Sequence, residues 1–281
     1  MRTKALTAAG IVLLAGAPIL LLVMGRTDLA TSADAEAGAV PLAGVVIPYL
    51  VGLALIALIP PRLPVLAVDP DERLRRQAYW LIGLALLFPL AGVLTGESLV
   101  YPVAKVLILL VGAWVVLRRI RRPSPARAHR ERIPKLWHWL GPALVILVWG
   151  YLFFYSPLAE WDVSGYEDWD RVELAVVAFY TFLTASVLEE IFYRVILQTR
   201  LEALWGRWPG IVATALLFVL MHVHRYADGP FLDITLVILT SNGALGLFAG
   251  YLWSKYRNVW AILLVHAAIN GLTLIPVLIG G

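Results

Sequence analysis

The sequence predicts an all-α fold: a polytopic transmembrane helical bundle of about nine spans with a cytoplasmic N-terminus. Three observations predict it. Of the 281 residues, 60% are hydrophobic and only 15% charged, whereas a soluble domain is nearer ~25% charged. Apolar runs of about 18 residues or more, the length that crosses a ~30 Å hydrocarbon core, recur along the whole chain. The basic residues between these runs gather in alternate loops, as membrane topology requires.

The runs lie near 5–24, 38–60, 78–95, 99–117, 136–155, 172–201, 209–224, 231–253 and 259–279. The loop charges test the count. Arg2 and Lys4 precede the first run, and Arg62, Arg73, Arg75 and Arg76 follow the second. A basic stretch from Arg118 to Lys135 follows the fourth, Arg200 and Arg207 the sixth, and Lys255 and Arg257 the eighth. Nine spans place all of these on the cytoplasmic side. The opposite loops carry Asp28, Asp34, Glu36, Glu97, Glu160, Asp162, Glu167, Asp168 and Asp170, with only Arg26 and Arg225 against the pattern. The first run is read as a retained helix, because it is long for a signal-peptide core, although Ala33-Asp34-Ala35 is a weak cleavage-like pattern. Trp80, Trp137, Trp139, Trp205, Trp208, Trp253 and Trp260 fall near run ends, where amphipathic rings settle at the interface.

Residues 118–135 are the one extended polar stretch. Pro123, Pro125 and Pro134 discourage a continuous helix there. The expected organisation is therefore a four-helix membrane region over 1–117, a basic cytoplasmic linker over 118–135, and a five-helix membrane domain over 136–281. The linker is a topology determinant that also touches anionic lipid. No repeat relates the two halves, which weakens a transporter built from inverted repeats. A net charge of +4 does not mark a nucleic-acid binder, because its basic residues follow membrane topology. The absence of Cys removes disulfides, thiolate metal sites and cysteine nucleophiles.

Function is sought where polarity is placed against its cost. A charge at the centre of a spanning helix costs about 2.5–3.5 kcal/mol on an insertion scale. The front half avoids that cost: Lys105, near the outer end of its run, is expected to snorkel to the interface and is given no role. The back half carries Glu189, Glu190 and Arg194 in the sixth run, His222 in the seventh, and His266 and Asn270 in the ninth. Adjacent helical residues point about 100° apart, so the two carboxylates take separate jobs. Glu190 and Arg194, four apart, suit an ion pair. Tyr193, four beyond Glu189, is placed to donate a hydrogen bond to it. Glu189 is then the surplus carboxylate, expected to face a cavity. At ~1.5 Å per residue the depths of Glu189, His222, His266 and Asn270 overlap, at roughly 11–20 Å from the cytoplasmic ends of their runs.

His266 and Asn270 share a helix face and both donate hydrogen bonds, which suits an oxyanion. Gly246 and Gly250, at G-x-x-x-G spacing, are read as helix packing. Ser241 and Asn242 are read as polar contacts between helices. A carboxylate, two imidazoles and an amide suggest hydrolysis with water as nucleophile. No G-x-S-x-G or H-E-x-x-H occurs, and no Asp lies mid-span, which sets aside serine, zinc and paired-aspartate designs.

Glu189-Glu190-x-x-Tyr193-Arg194, Phe218-x-x-x-His222, and Gly246-x-x-x-Gly250 leading into His266-x-x-x-Asn270 resemble, in order and spacing, the CAAX protease and bacteriocin-processing (CPBP, or Abi) family. The resemblance covers about residues 172–270, and the first four runs match nothing identifiable. It implies an intramembrane glutamic endopeptidase. On that implication Glu189 and His222 activate water, His266 and Asn270 stabilise the oxyanion, and Glu190, Arg194 and Tyr193 support the site. The expected substrate is a membrane-embedded or lipidated protein or peptide within the bilayer, with no nucleic acid and no cofactor. A divalent metal on Glu189, His222 and His266 is the alternative, since family members have been considered metal-dependent. Residue usage points to a multi-pass protein of a bacterial cytoplasmic membrane. The rival functions are a non-catalytic immunity or binding protein and a proton-coupled transporter.

Overall fold

The computed structural model describes residues 2–30, 38–61, 70–95, 100–121, 124–125, 133–222 and 230–280. Ala33-Asp34-Ala35, Arg62, Glu97, His129, His224, Arg225 and much of the basic linker lie outside them. Within them the chain is helical throughout, apart from a two-residue antiparallel pair, β1 (Asp28–Leu29) with β2 (Val40–Pro41).

Seven helices are long and apolar enough to span: α1 (Thr3–Val23 of Arg2–Val23), α3 (Glu72–Leu94 of Glu72–Thr95), α4 (Val100–Arg119), α5 (Lys135–Phe154), α6 (Arg171–Trp205), α8 (Phe231–Tyr256) and α9 (Val259–Ile279). Two predicted spans form shorter apolar helices, α2 (Leu42–Leu58, 17 residues) and α7 (Arg207–His222, 16 residues). At ~1.5 Å per residue α2 reaches about 25 Å, short of the ~30 Å core, while α7 runs up to the last residue described before 230. Among the described residues, seven helices thus have the length of a full span, where about nine are expected. Large apolar side chains such as Val12, Leu87, Leu147 and Phe179 point outward, as they do in a helix bundle whose solvent is lipid.

Small residues set the closest approaches. A Cβ on Gly246 would lie 3.0 Å from Ala215 Cα, and one on Gly250 2.9 Å from Gln198 Oε1. So α8 packs along α7 and against α6, the packing role expected of that motif. In turn α1 lies on α7 and α8, α2 on α5 and α8, and α3 on α4 and α7.

Several residues expected as loop charges are folded into one end of the bundle instead. Arg257 ion-pairs with Glu202, and both side chains are buried. Lys255 donates to the carbonyls of Ile56 and Ile59 at the C-terminal end of α2, where a cation is favoured. Arg200 Nε donates to Gln77 Oε1 at 2.8 Å, and Gln77 Nε2 donates to the Ile120 carbonyl at 2.5 Å. Gln198 Nε2 donates to Glu202 Oε1 and to the Gly250 carbonyl, each at 2.7 Å. Trp253, predicted at the lipid interface, is instead buried and donates to Thr199 Oγ1 at 3.0 Å. Trp80, Trp139 and Trp260 are exposed. Arg26, an exception to the charge alternation, is neutralised by Asp233 at 2.6 Å.

Candidate functional site

The site is built where α6 departs from regular α-helix. Leu188–Glu190 is a single α-turn between two π-helical stretches, Phe182–Val187 and Ile191–Gln198. Such bulges re-aim side chains and often mark functional segments. Helix α4 does the same over Val106–Gly112, directly after Lys105. The Leu188–Glu190 turn packs on that segment of α4.

That contact corrects the reading of Lys105. Instead of snorkelling to the interface, its side chain is buried, and Nζ ion-pairs with Glu189 Oε1. Glu189 is therefore not a surplus carboxylate: its counterion comes from the front half of the chain. The spacing of one helix could not show this, because the partner lies 84 residues away. The cost of burying a bare ammonium was the available signal, since a buried charge must be paired.

Glu189 is 2% exposed. Its second oxygen, Oε2, accepts no hydrogen bond among the described residues and lies 4.0 Å from His266 Nε2. Lys105, His222 and His266 make up the electrostatic surroundings of the carboxylate.

Glu190 is fully buried and faces another way. Oε1 accepts from His266 Nδ1 at 2.9 Å, and Oε2 lies 3.4 Å from Arg194 Nε. The Arg194 contact is an ion pair outside hydrogen-bond geometry. The guanidinium also stacks over the Phe218 ring, 4.5 Å from its centroid, a cation–π contact. Tyr193 is buried edge-on between Phe192 and Phe218. Its hydroxyl makes no hydrogen bond among the described residues, so the expected bond to Glu189 is not formed.

The two histidines have defined tautomers. His222 Nδ1 lies 2.8 Å from the Phe218 carbonyl. A carbonyl only accepts, so Nδ1 carries the proton, and in the neutral ring Nε2 then holds the lone pair. By the same reasoning His266 Nδ1–H donates to Glu190. Its Nε2 donates only when the ring is imidazolium, a cation that Glu190 is placed to accompany. Asn270 Nδ2 donates to Ser186 Oγ at 3.1 Å.

Glu189, His222, His266 and Asn270 all line one cavity of about 260 Å³. Tyr49, Phe153, Trp161 and Leu245 supply apolar wall. Ser241 and Asn242 also line it, and Ser241 Oγ donates to the Val237 carbonyl of its own helix at 2.8 Å. This corrects their reading as contacts between helices. The polar residues that the sequence reading missed here are Lys105, Ser186 and, at the rim, Asp162. Backbone and side-chain hydrogen bonds from Ser164 hold the Asp162 carboxyl below its ordinary range.

Among the described residues no group of three or more His, Asp or Glu side chains is arranged to hold an ion.

Residues 171–272, a little over a third of the chain, match the family model described as type II CAAX prenyl endopeptidase Rce1-like. The matched segment runs from the start of α6 into α9, and contains Glu189, His222, His266 and Asn270 but not Lys105. No curated protein and no solved structure matches the chain.

Proposed function

We propose, taking as premise the match of residues 171–272 to the CAAX prenyl endopeptidases, that this multi-pass membrane protein is an intramembrane endopeptidase of glutamic type. It would act on a membrane-embedded or lipid-anchored protein or peptide without a metal or other cofactor. The observation that carries the reading is the unbonded Oε2 of Glu189, buried in a cavity it shares with His222, His266 and Asn270.

The chemistry follows from these atoms. A water between Glu189 Oε2 and His222 Nε2 gives a proton to Oε2 as its oxygen attacks the scissile carbonyl carbon. The carbonyl π bond becomes the oxyanion, which takes hydrogen bonds from Asn270 Nδ2 and from the imidazolium Nε2–H of His266. Collapse of the tetrahedral intermediate breaks the C–N bond. The retained proton passes to the leaving amine, giving one new carboxylate and one new amine. Lys105 fixes Glu189 through Oε1 and leaves Oε2 to the water. Glu190 and Arg194 hold His266 in place. Residues 136–281 would form the catalytic membrane domain, completed by Lys105 from 1–117 across the linker.

Comparison of membrane-fraction peptides tests the reading. Cells with the wild-type chain should contain cleaved C-termini that are missing from cells with Glu189→Gln or His222→Ala at equal membrane abundance. Identical peptide sets would remove the peptidase reading and favour a binding role.

A further inference from the structure

The cavity is one-sided. In α6 its lining residues are Glu189 and, all preceding it, Leu174, Val177, Ala178, Thr181 and Ala185. In α9 they run from His266 onward to Leu274, away from the α8–α9 turn. α2 contributes only Val45 and Tyr49 from its first half, and α5 only Phe153 beside its last residue. All of these lead toward the segment joining α5 to α6, where Asp162 is exposed at the rim. Among the described residues, the bundle is closed beyond Glu189 in the other direction. Arg194, Gln198, Glu202, Ser254 and Arg257 are each no more than 3% exposed, and the last four belong to the paired cytoplasmic network. The basic stretch Arg118 to Lys135 connects α4 to α5 at that closed end, which the charge distribution assigns to the cytoplasm.

We infer that the site takes its substrates from the face opposite the basic linker: it cuts extracytoplasmic boundary segments of membrane-anchored proteins, presented as extended chain. This rests on the peptidase reading for the cutting, but not for the side of access. The extended form follows from size. A helix with its side chains is about 10–12 Å across, and 260 Å³ falls below the ~300–1,000 Å³ of pockets that enclose a whole drug-sized ligand. The space admits a few side chains of an unwound strand. A chain whose tail is displayed in the cytoplasm would meet the closed end.

The chain lacks cysteine, so accessibility can be read one residue at a time. Asp162→Cys at the rim, Ala178→Cys in the wall and Ser124→Cys in the linker are made singly and expressed in a bacterial host. Each is treated with a membrane-impermeant maleimide in intact spheroplasts and in inverted vesicles, with denatured protein as the labelling control. Asp162→Cys and Ala178→Cys should label in spheroplasts and lose labelling in inverted vesicles, and Ser124→Cys should do the reverse. Labelling of the two cavity positions from the Ser124 side, from both sides or from neither would overturn the inference. The same experiment in the Glu189→Gln protein should give the same pattern, because access does not depend on chemistry. In the membrane-peptide comparison, segments left uncut by Glu189→Gln should map to extracytoplasmic boundaries, and cytoplasmic ones would overturn the substrate assignment. An unchanged peptide set beside the expected labelling would reject the peptidase reading, and the substrate assignment with it, while the side of access stands.

Discussion

Replacing Lys105 by Met removes the one ammonium that reaches Glu189 among the described residues, while keeping most of the apolar stem. The Glu189 carboxylate, 2% exposed, is left with the His266 ring 4.0 Å from its Oε2. Taking one partner from a buried ion pair costs about 3–5 kcal/mol, because the survivor stays desolvated. Glu189→Gln strands Lys105 in the same way, at a smaller cost, since the amide oxygen still accepts a hydrogen bond. Lys105→Met with Glu189→Gln removes both charges together. The double substitution should therefore cost less than the sum of the two by ~1–3 kcal/mol, the range for residues in direct contact. The assay is denaturant unfolding of the purified protein in detergent, following tryptophan fluorescence of all four proteins. Additivity within ~0.5 kcal/mol would mean that Lys105 and Glu189 do not touch. The pairing of the front half with the site would then be refuted.

Three further outcomes follow from the same structure. Arg257→Ala should destabilise by about 3–5 kcal/mol, because it leaves the buried Glu202 carboxylate without its cation; unfolding of the purified variant checks it. Asp170 accepts hydrogen bonds from the backbone N–H of Val172 and Glu173 at the start of α6, so Asp170→Ala should cost about 1 kcal/mol and speed amide exchange in the first turn of α6. Asp162 is held below the ordinary carboxylate range by Ser164. A depressed acid contributes order that is present above its unfolded value and lost as pH falls through the folded one. Hydrogen exchange at the Ser164 amide should therefore gain protection-loss on acidification, and Asp162→Asn should abolish that dependence.

Much of the site was legible because burial makes charge informative. Glu189, Glu190, His222 and His266 stood out as polar residues in apolar runs, and the structure places the four close together. The Glu190–Arg194 pair was readable from helical spacing alone. Lys105 was misread because one-dimensional depth says nothing about which way a helix faces, and the π-helical stretches of α4 and α6 change that facing locally. Tyr193 was misread because spacing does not show what else a ring packs on: it lies between Phe192 and Phe218. Arg200, Lys255 and Arg257 were legible as topology signals but not as a buried network. Their partners Gln77, Ile56 and Glu202 come from other helices, and only packing brings them together. The short α2 was not separable from a full span, since an apolar run does not reveal where its helix begins and ends.

Delivery of water to a peptide bond by Glu189, as proposed, leaves an isotopic mark. Purified protein in proteoliposomes is incubated with solubilised membrane polypeptides in water enriched in the heavy oxygen isotope, and new C-termini are read by mass spectrometry. The wild-type chain should yield C-termini carrying one heavy oxygen, and Glu189→Gln and His222→Ala, folded and reconstituted equally, should yield none. Heavy-oxygen C-termini in equal number from wild type and Glu189→Gln would contradict the account.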